Sequence, residues 1–380
     1  MNPLDSIIVG LRKRLPLLEK SVSLNHAGIA PQPRSAMIEA FEARRADGFV
    51  AEALQSLSGL PSRIRAAYAR MTKVTPEEIA ITRNTAEGVN IIAQGFPWKK
   101  GDSILTVDIE YPSNVYPWWN LRERGVTIKA VPERNGRVDL DEFLSAIDSS
   151  TRLVAISHVE FASGFRFDLA LLSAACRERD IFLFVDVAQS LGALPVDLSL
   201  VDAAAWPTWK WLMGPIGMGG FYLARHRLDL IKPVYVGSDG MVPTSDYLDY
   251  NFTPKPDASR FEFSTGNPIG EIGAEEALKI MAPIFSSELA VEATGRIFSR
   301  ADRLIEILAS RGARLYSSLH EGERSGILSF TTPDDPHKTA AQLKAGGVEV
   351  TVRAGRLRLA PHFYNDEEDV ERVKKTLSSN

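Results

Sequence analysis

From about residue 75 the chain alternates short apolar runs, rich in β-branched residues, with stretches whose apolar residues recur every three or four positions. The first pattern suits strands and the second suits helices lying on a sheet, so the alternation predicts βαβ units on a mainly parallel sheet. The predicted strands are 78–82, 103–108, 126–131, 153–157, 181–185, 203–206 and 219–223; the helices among them are 114–123, 140–146 and 169–179. Residues 243–257, rich in Pro, Asp, Ser and Tyr, read as an extended connection. Beyond it the pattern predicts a long helix over 288–309, a strand over 326–331, a helix over 339–344, a hairpin over 348–359 and a closing helix after Asp366. That is the makeup of a smaller α+β unit. The expected fold class is α/β, with a large unit over 20–257 and a small one formed by 1–19 and 258–380.

A length of 380 residues is enough for two unequal units with a sizeable core. A net charge of −4 offers no long-range attraction to a phosphate backbone or an anionic membrane, so small molecules are the expected partners, and neither nucleic acid nor membrane is. The longest apolar runs are near strand length and fall short of the roughly 20 residues that span a bilayer. The N-terminus lacks the pattern of a signal peptide, and a cytoplasmic location is expected. Cys176 is the only cysteine, which leaves no internal disulfide and no cysteine cluster for a metal.

The most informative stretch is Val185-Asp186-Val187-Ala188-Gln189, followed by Trp206-Pro207-Thr208-Trp209-Lys210-Trp211 and Gly214-Pro215-Ile216-Gly217. Asp186 ends one apolar strand and Lys210 follows the next, at the edge where open α/β sheets place ligand-contacting groups. Trp209 and Trp211 would partly exclude water from Lys210, and desolvation favours the nucleophilic amine. A lysine that forms a Schiff base and a carboxylate that keeps a ring nitrogen protonated are what an aldehyde cofactor with a basic ring requires. Taken singly, such an Asp is also a helix cap and such a Lys a solvated loop charge.

Asp186, Gln189, Lys210 and the glycines after them resemble the class V aminotransferase group, which includes cysteine desulfurases, isopenicillin epimerase-like proteins and kynureninases. The resemblance runs from about Leu24 to Val373. It implies a pyridoxal 5'-phosphate (PLP) dependent transferase fold of type I, with a mainly parallel seven-stranded sheet in the large domain. It implies that Lys210 carries the cofactor and later shuttles a proton, that Asp186 pairs with the pyridine nitrogen and that Gln189 approaches the ring hydroxyl. The turn Arg83-Asn84-Thr85-Ala86 opens a helix whose free amides and dipole favour a phosphate, and the resemblance gives that contact to Thr85 and Ala86. Thr208 and Trp209 stand where relatives have further phosphate donors, although Pro207 replaces the usual serine.

The resemblance continues in four further segments. Tyr111, in Glu110-Tyr111-Pro112-Ser113-Asn114, is the expected ring-stacking residue. In His158-Val159-Glu160-Phe161-Ala162-Ser163-Gly164, Phe161 replaces a ring-hydroxyl asparagine, and Ser163 is the residue that would compensate. Arg358 is expected to grip the substrate carboxylate, with Asn25 and His26 as further substrate residues. Thr265, in Arg260-Phe261-Glu262-Phe263-Ser264-Thr265-Gly266-Asn267, resembles the threonine that reaches the phosphate of a neighbouring subunit, which implies a homodimer with shared sites.

Persulfide-forming desulfurases need a reactive cysteine on a small-domain loop, and no cysteine follows Cys176. The favoured reaction is therefore β-elimination from an L-amino acid, carbon–sulfur lyase-like, through an external aldimine and loss of the α-proton. Transamination, epimerisation and decarboxylative deamination, as in secondary metabolism, are the alternatives. Five of the six tryptophans fall between Trp118 and Trp211, which suits a bulky or apolar substrate and suits core packing as well. A nucleotide-dependent oxidoreductase is the remote alternative. The glycines from Gly214 to Gly220 lead into a strand, not out of the first strand into a helix as a dinucleotide fingerprint requires.

Overall fold

The computed structural model describes residues 2–43, 57–246 and 248–378; Tyr247, within the expected connection, lies outside them. Its centre is a seven-stranded sheet. In spatial order the strands are Ile79–Thr82, Gly219–Leu223, Ala203–Pro207, Phe182–Asp186, Thr151–Ser157, Ser103–Val107 and Thr127–Val131. Gly219–Leu223 is antiparallel to both of its neighbours, and the remaining pairs are parallel.

The period-two alternation of a strand explains why this sheet is covered on both faces. Val154, Ile156, Leu183, Val185 and Ala204 point into one core, which Phe165, Phe167 and Leu172 complete. Their alternates Leu153, Ala155, Phe182, Phe184 and Ala205 point into a second core with Val89, Ile92 and Trp118. Beyond Thr151 and Arg152 at the amino end of one strand, nothing polar interrupts these strands before their carboxyl ends, and the chemistry-bearing residues collect at that edge. The chain first steps outward from Ser103–Val107 to Thr127–Val131, then crosses back to Thr151–Ser157 on the other side. Such a reversal opens a crevice at the carboxyl edge of the sheet.

Two sequence expectations need correction. The helix expected over 114–123 is three short turns, Pro112–Asn114, Tyr116–Trp119 and Asn120–Arg124. Pro117 has no backbone N–H to join the first turn to the second. The hairpin expected over 348–359 consists only of Thr351–Arg353 and Arg356–Leu359, joined through Ala354 (φ 48°) and Gly355 (φ 69°). Two left-handed residues in succession make the tight turn that matches strand twist. Val348–Glu349 instead pairs in parallel with Val22–Ser23.

The hairpin joins Leu328–Thr331 and Arg314–Leu315 in a four-stranded sheet, covered by the helices Leu289–Ala309, Pro336–Ala345 and Glu367–Ser378. Val22 and Leu24 pack in this smaller core, so the pairing sets residues 22–24 with the small unit although they lie inside 20–257. Helix Pro268–Phe285, inside 258–380, instead inserts Ile272, Leu278 and Met281 into the core of the main sheet. No helix among the described residues is long and apolar enough to cross a membrane.

Candidate active site

The carboxyl ends of the central strands, the loop around Gly28 and the small-unit hairpin enclose a cavity of ≈ 370 Å³. Its wall includes Thr85, Ala86, Tyr111, Ser157, Phe161, Asp186, Gln189, Trp209, Lys210, Arg353 and Arg358. Residues far apart in sequence thus meet where the strand order reverses.

Asp186 is the last residue of its strand and stands opposite Ser157 in the parallel pairing. Its Oδ1 accepts the Ala188 N–H at 2.8 Å, and its Oδ2 has no hydrogen bond among the described residues. Burial raises its pKa to about 6, against the pull of Lys210 and the Ala188 bond. Lys210 follows the neighbouring strand on a loop pinned from several sides. Ala30 N–H donates to Trp209 O (2.9 Å), Gly214 N–H to Thr208 O (2.8 Å) and Met213 N–H to Lys210 O (3.0 Å). Burial lowers the Lys210 amine to about 8; Asp186 opposes this, and Arg358 and Arg353 add to it. The amine has no hydrogen bond or ion pair among the described residues, and its Nζ lies 5.2 Å from the centroid of Tyr111. Amine and carboxylate therefore line one space without neutralising each other.

At another wall of the cavity, Asn84 caps helix Thr85–Gly95 by accepting the Glu87 N–H at 3.0 Å. The Thr85 and Ala86 amides, first in the helix, have no intrahelical acceptor and open on the cavity. Arg358 is 2% exposed, and its Nη1 donates to Phe161 O at 2.8 Å. Its Nε has no partner among the described residues. Burial first, then Arg353, lowers its pKa to about 9, while Tyr111 opposes. A buried guanidinium without a counter-ion is ready for an anion. Phe161 meets Tyr111 edge-on, with centroids 5.2 Å apart.

Residues 49–373 match the family model of class V aminotransferases. The chain belongs to that family. Its members are PLP-dependent enzymes, as the sequence resemblance implied. A probable cysteine desulfurase of Methanothermobacter thermautotrophicus is 29% identical over 97% of this chain and 96% of its own. An uncharacterized aminotransferase of Schizosaccharomyces pombe is 25% identical over 97% and 95%. Among solved structures, an apo cysteine desulfurase from Thermococcus onnurineus superposes with a TM-score of 0.87 at 25% identity, covering 97% of this chain and 96% of that one. The cystine C–S lyase C-DES, in complex with its product cysteine persulfide, gives 0.87 at 26% identity over 96% and 99%.

The residues present fit the class V cofactor. An unpaired amine, a buried carboxylate with a free oxygen, two uncommitted helix amides and an aromatic face line one cavity. Not every residue singled out in the sequence faces it. Thr208 is buried within its own loop, and its hydroxyl contacts the Pro215 (2.5 Å) and Met218 (3.0 Å) carbonyls. His26 is fully buried behind the wall, with Nδ1 3.0 Å from Ala360 O and Nε2 2.8 Å from Tyr364 Oη. Asn25 lies beside it, against Gly28, and Ser163 is buried beneath Phe165 N–H; neither lines the cavity. Thr265 is exposed and lines a separate cavity of ≈ 640 Å³ with Arg83, Lys255 and Asn267. Of the tryptophans only Trp209 lines the first cavity, while Trp118, Trp206 and Trp211 are core. For those three the clustering is packing.

The sequence reading missed Ser157, Ser113 and Arg353 as wall residues. The end-of-strand position of Ser157, level with Asp186, is the signal that would have found it. It also missed two fully buried acids. Glu110 accepts from the Ser157 hydroxyl at 2.7 Å, whereas neither oxygen of Glu160 has a donor among the described residues. Burial raises both carboxyls above the usual range; Asp186 raises both further, and Glu110 with Glu133 adds to the rise at Glu160.

Proposed function

We propose that Lys210 carries the cofactor and that the protein is a carbon–sulfur lyase-like enzyme, eliminating the β-substituent of an L-amino acid. Bound PLP supplies an electron sink for the bond at the amino acid's α-carbon. The chain's own groups do the rest. Thr85 and Ala86 hold the phosphate at the helix N-terminus, Asp186 keeps the ring nitrogen protonated, Tyr111 covers the ring, and Arg358 grips the substrate carboxylate. Lys210, with an amine lowered by burial to about 8, takes the α-proton.

The observation that carries the choice of reaction is the position of the single cysteine. Cys176 is buried on helix Leu169–Glu178, away from the cavity, and burial pushes its thiol up to about 12. No thiolate is at hand to take a sulfur atom as a persulfide. A lyase that releases its sulfur product has no such need, and the similarity to the cystine C–S lyase supports that reading. The exposed Thr265, with Leu248, Tyr250, Phe252 and Ile269 also exposed, supports a homodimer in which Thr265 meets the partner's phosphate. Sedimentation or light scattering checks that assembly; a monomer at working concentration contradicts it.

The decisive test is a panel of L-amino acids that includes cystine and cysteine thioethers, given to the PLP-loaded protein. Elimination releases pyruvate, ammonia and a sulfur product, and Lys210→Ala abolishes this. Keto-acid exchange or racemisation without pyruvate overturns it.

A further inference from the structure

Gln189 is held at both ends of its amide, and its two partners fix which end is which. Trp211 Nε1, a donor only, lies 2.9 Å from one amide atom, which must be Oε1. Ala27 O, an acceptor only, lies 2.9 Å from the other, which must be the NH₂ nitrogen. The orientation follows from chemistry, not from the resemblance of oxygen to nitrogen. One amide hydrogen goes to Ala27, and the second is left on a side chain that lines the cavity.

Both partners are fastened by one C-terminal segment of the small unit. His362 Nε2 lies 2.9 Å from Trp211 O and must donate to it, and its Nδ1 accepts the Phe363 N–H at 3.0 Å. Its ring also lies tilted beside that of Trp211, centroids 5.6 Å apart. On the other side, His26 Nδ1 donates to Ala360 O at 3.0 Å, and its Nε2 accepts from Tyr364 Oη at 2.8 Å. This ties down the loop that carries Ala27. Residues 360–364 thus clamp the lysine loop and the N-terminal loop together, with Gln189 between them.

We propose that Trp211 and His362 are positioning residues that hold Gln189 with its N–H edge toward the cavity, as a donor to the ring oxygen of the bound cofactor. The inference rests on the PLP reading above and extends it to residues that never touch the cofactor. A donor at that oxygen stabilises its anionic form, so the proton of the cofactor–lysine linkage is held less tightly and the visible band titrates at lower pH. Without the Trp211 N–H the Gln189 amide is free to turn, and the donor is lost.

The test is a pH titration of the visible band of the PLP-loaded protein. Trp211→Phe should move the midpoint up by about 0.4 to 1 pH unit, the equivalent of one hydrogen bond. Gln189→Ala should move it equally, and the double variant should move it no further. His362→Leu should also raise the midpoint, whereas His362→Gln, which keeps a donor for Trp211 O, should leave it near wild type. If Trp211→Phe does not fold, the His362 pair decides alone. An unmoved midpoint in Trp211→Phe, or equal shifts with and without Gln189, overturns the proposal. A wild-type protein with no visible band sensitive to Lys210→Ala overturns instead the PLP reading on which it rests.

Discussion

Lys210 and Tyr111 face each other across the cavity, with the amine nitrogen 5.2 Å from the ring centroid. This contact and the charge of Asp186 favour the ammonium, and they compete with burial and two arginines. The face of an aromatic ring stabilises a desolvated cation by roughly 0.5–2 kcal/mol. Tyr111→Leu should therefore lower the Lys210 pKa further, so that capture of PLP by the cofactor-free protein, which rises through about pH 8, rises at lower pH. The loss of the stacking face should also weaken PLP binding about tenfold at pH 8. An unchanged dissociation constant would mean that Tyr111 only covers the sheet edge.

Arg358 is buried without a counter-ion among the described residues, and its hydrogen bond to Phe161 O orients the guanidinium. A lysine in its place keeps the charge but loses the planar fork. Arg358→Lys should raise KM for the amino acid by roughly 10- to 100-fold, the value of hydrogen bonds to a charged group. Cofactor absorbance should stay as it is. Steady-state kinetics with kcat and KM separated check this; a fall in kcat alone would remove Arg358 from the carboxylate grip.

The phosphate end depends on how closely a helix lies on the sheet. A Cβ at Gly88 would stand 2.5 Å from Ala205 Cβ and 3.2 Å from Phe221 Cδ2, so helix Thr85–Gly95 reaches its seat only with glycine there. Gly88→Val should push the helix outward and with it the Thr85 and Ala86 amides, at a cost of about 1–3 kcal/mol. PLP affinity should fall about tenfold or more along with the melting temperature. Gly295→Ala, on a helix where nothing lies within 4 Å, is the control and should stabilise by roughly 0.5–1 kcal/mol. Equal effects from both would separate Gly88 from the cofactor site.

What the sequence made legible follows from where its signals are local. Asp186 and Lys210 end or follow apolar strands, and strand ends can be read from composition, so their meeting was visible. Thr208 was misread because a hydroxyl's partner depends on loop closure, here the Pro215 and Met218 carbonyls. His26 was expected at the substrate, whereas its ring packs on Trp211 and on His362, which lies near the far end of the chain. Val22–Ser23 is only two residues long, and its partner lies more than three hundred residues away, beyond any periodicity. Glu160 carries no local signal, and its full burial arises only in the folded chain.

That burial has a consequence for stability against pH. Among the described residues Glu160 has no donor for either oxygen, it faces Glu110, and Asp186 and Glu133 also bear on it. Burial first, then these acids, raise its pKa well above the carboxylate range. A carboxyl that holds its proton more tightly in the folded state contributes stability that is fully present below its unfolded pKa, about 4.3 for Glu. That contribution is lost as pH rises from the unfolded value through the folded one, because over that window the unfolded chain has released a proton that the folded one keeps. Glu160→Gln keeps the shape, needs no proton and can donate to Glu110. The variant should melt about 2–5 °C above wild type at pH 8. The difference should shrink toward nothing near pH 3, below the unfolded value, since there both states of the wild type hold the proton. Calorimetry across that range decides the matter: a gain that is the same at both ends, or a loss at pH 8, would mean that Glu160 is ionised in the folded protein and held by a partner.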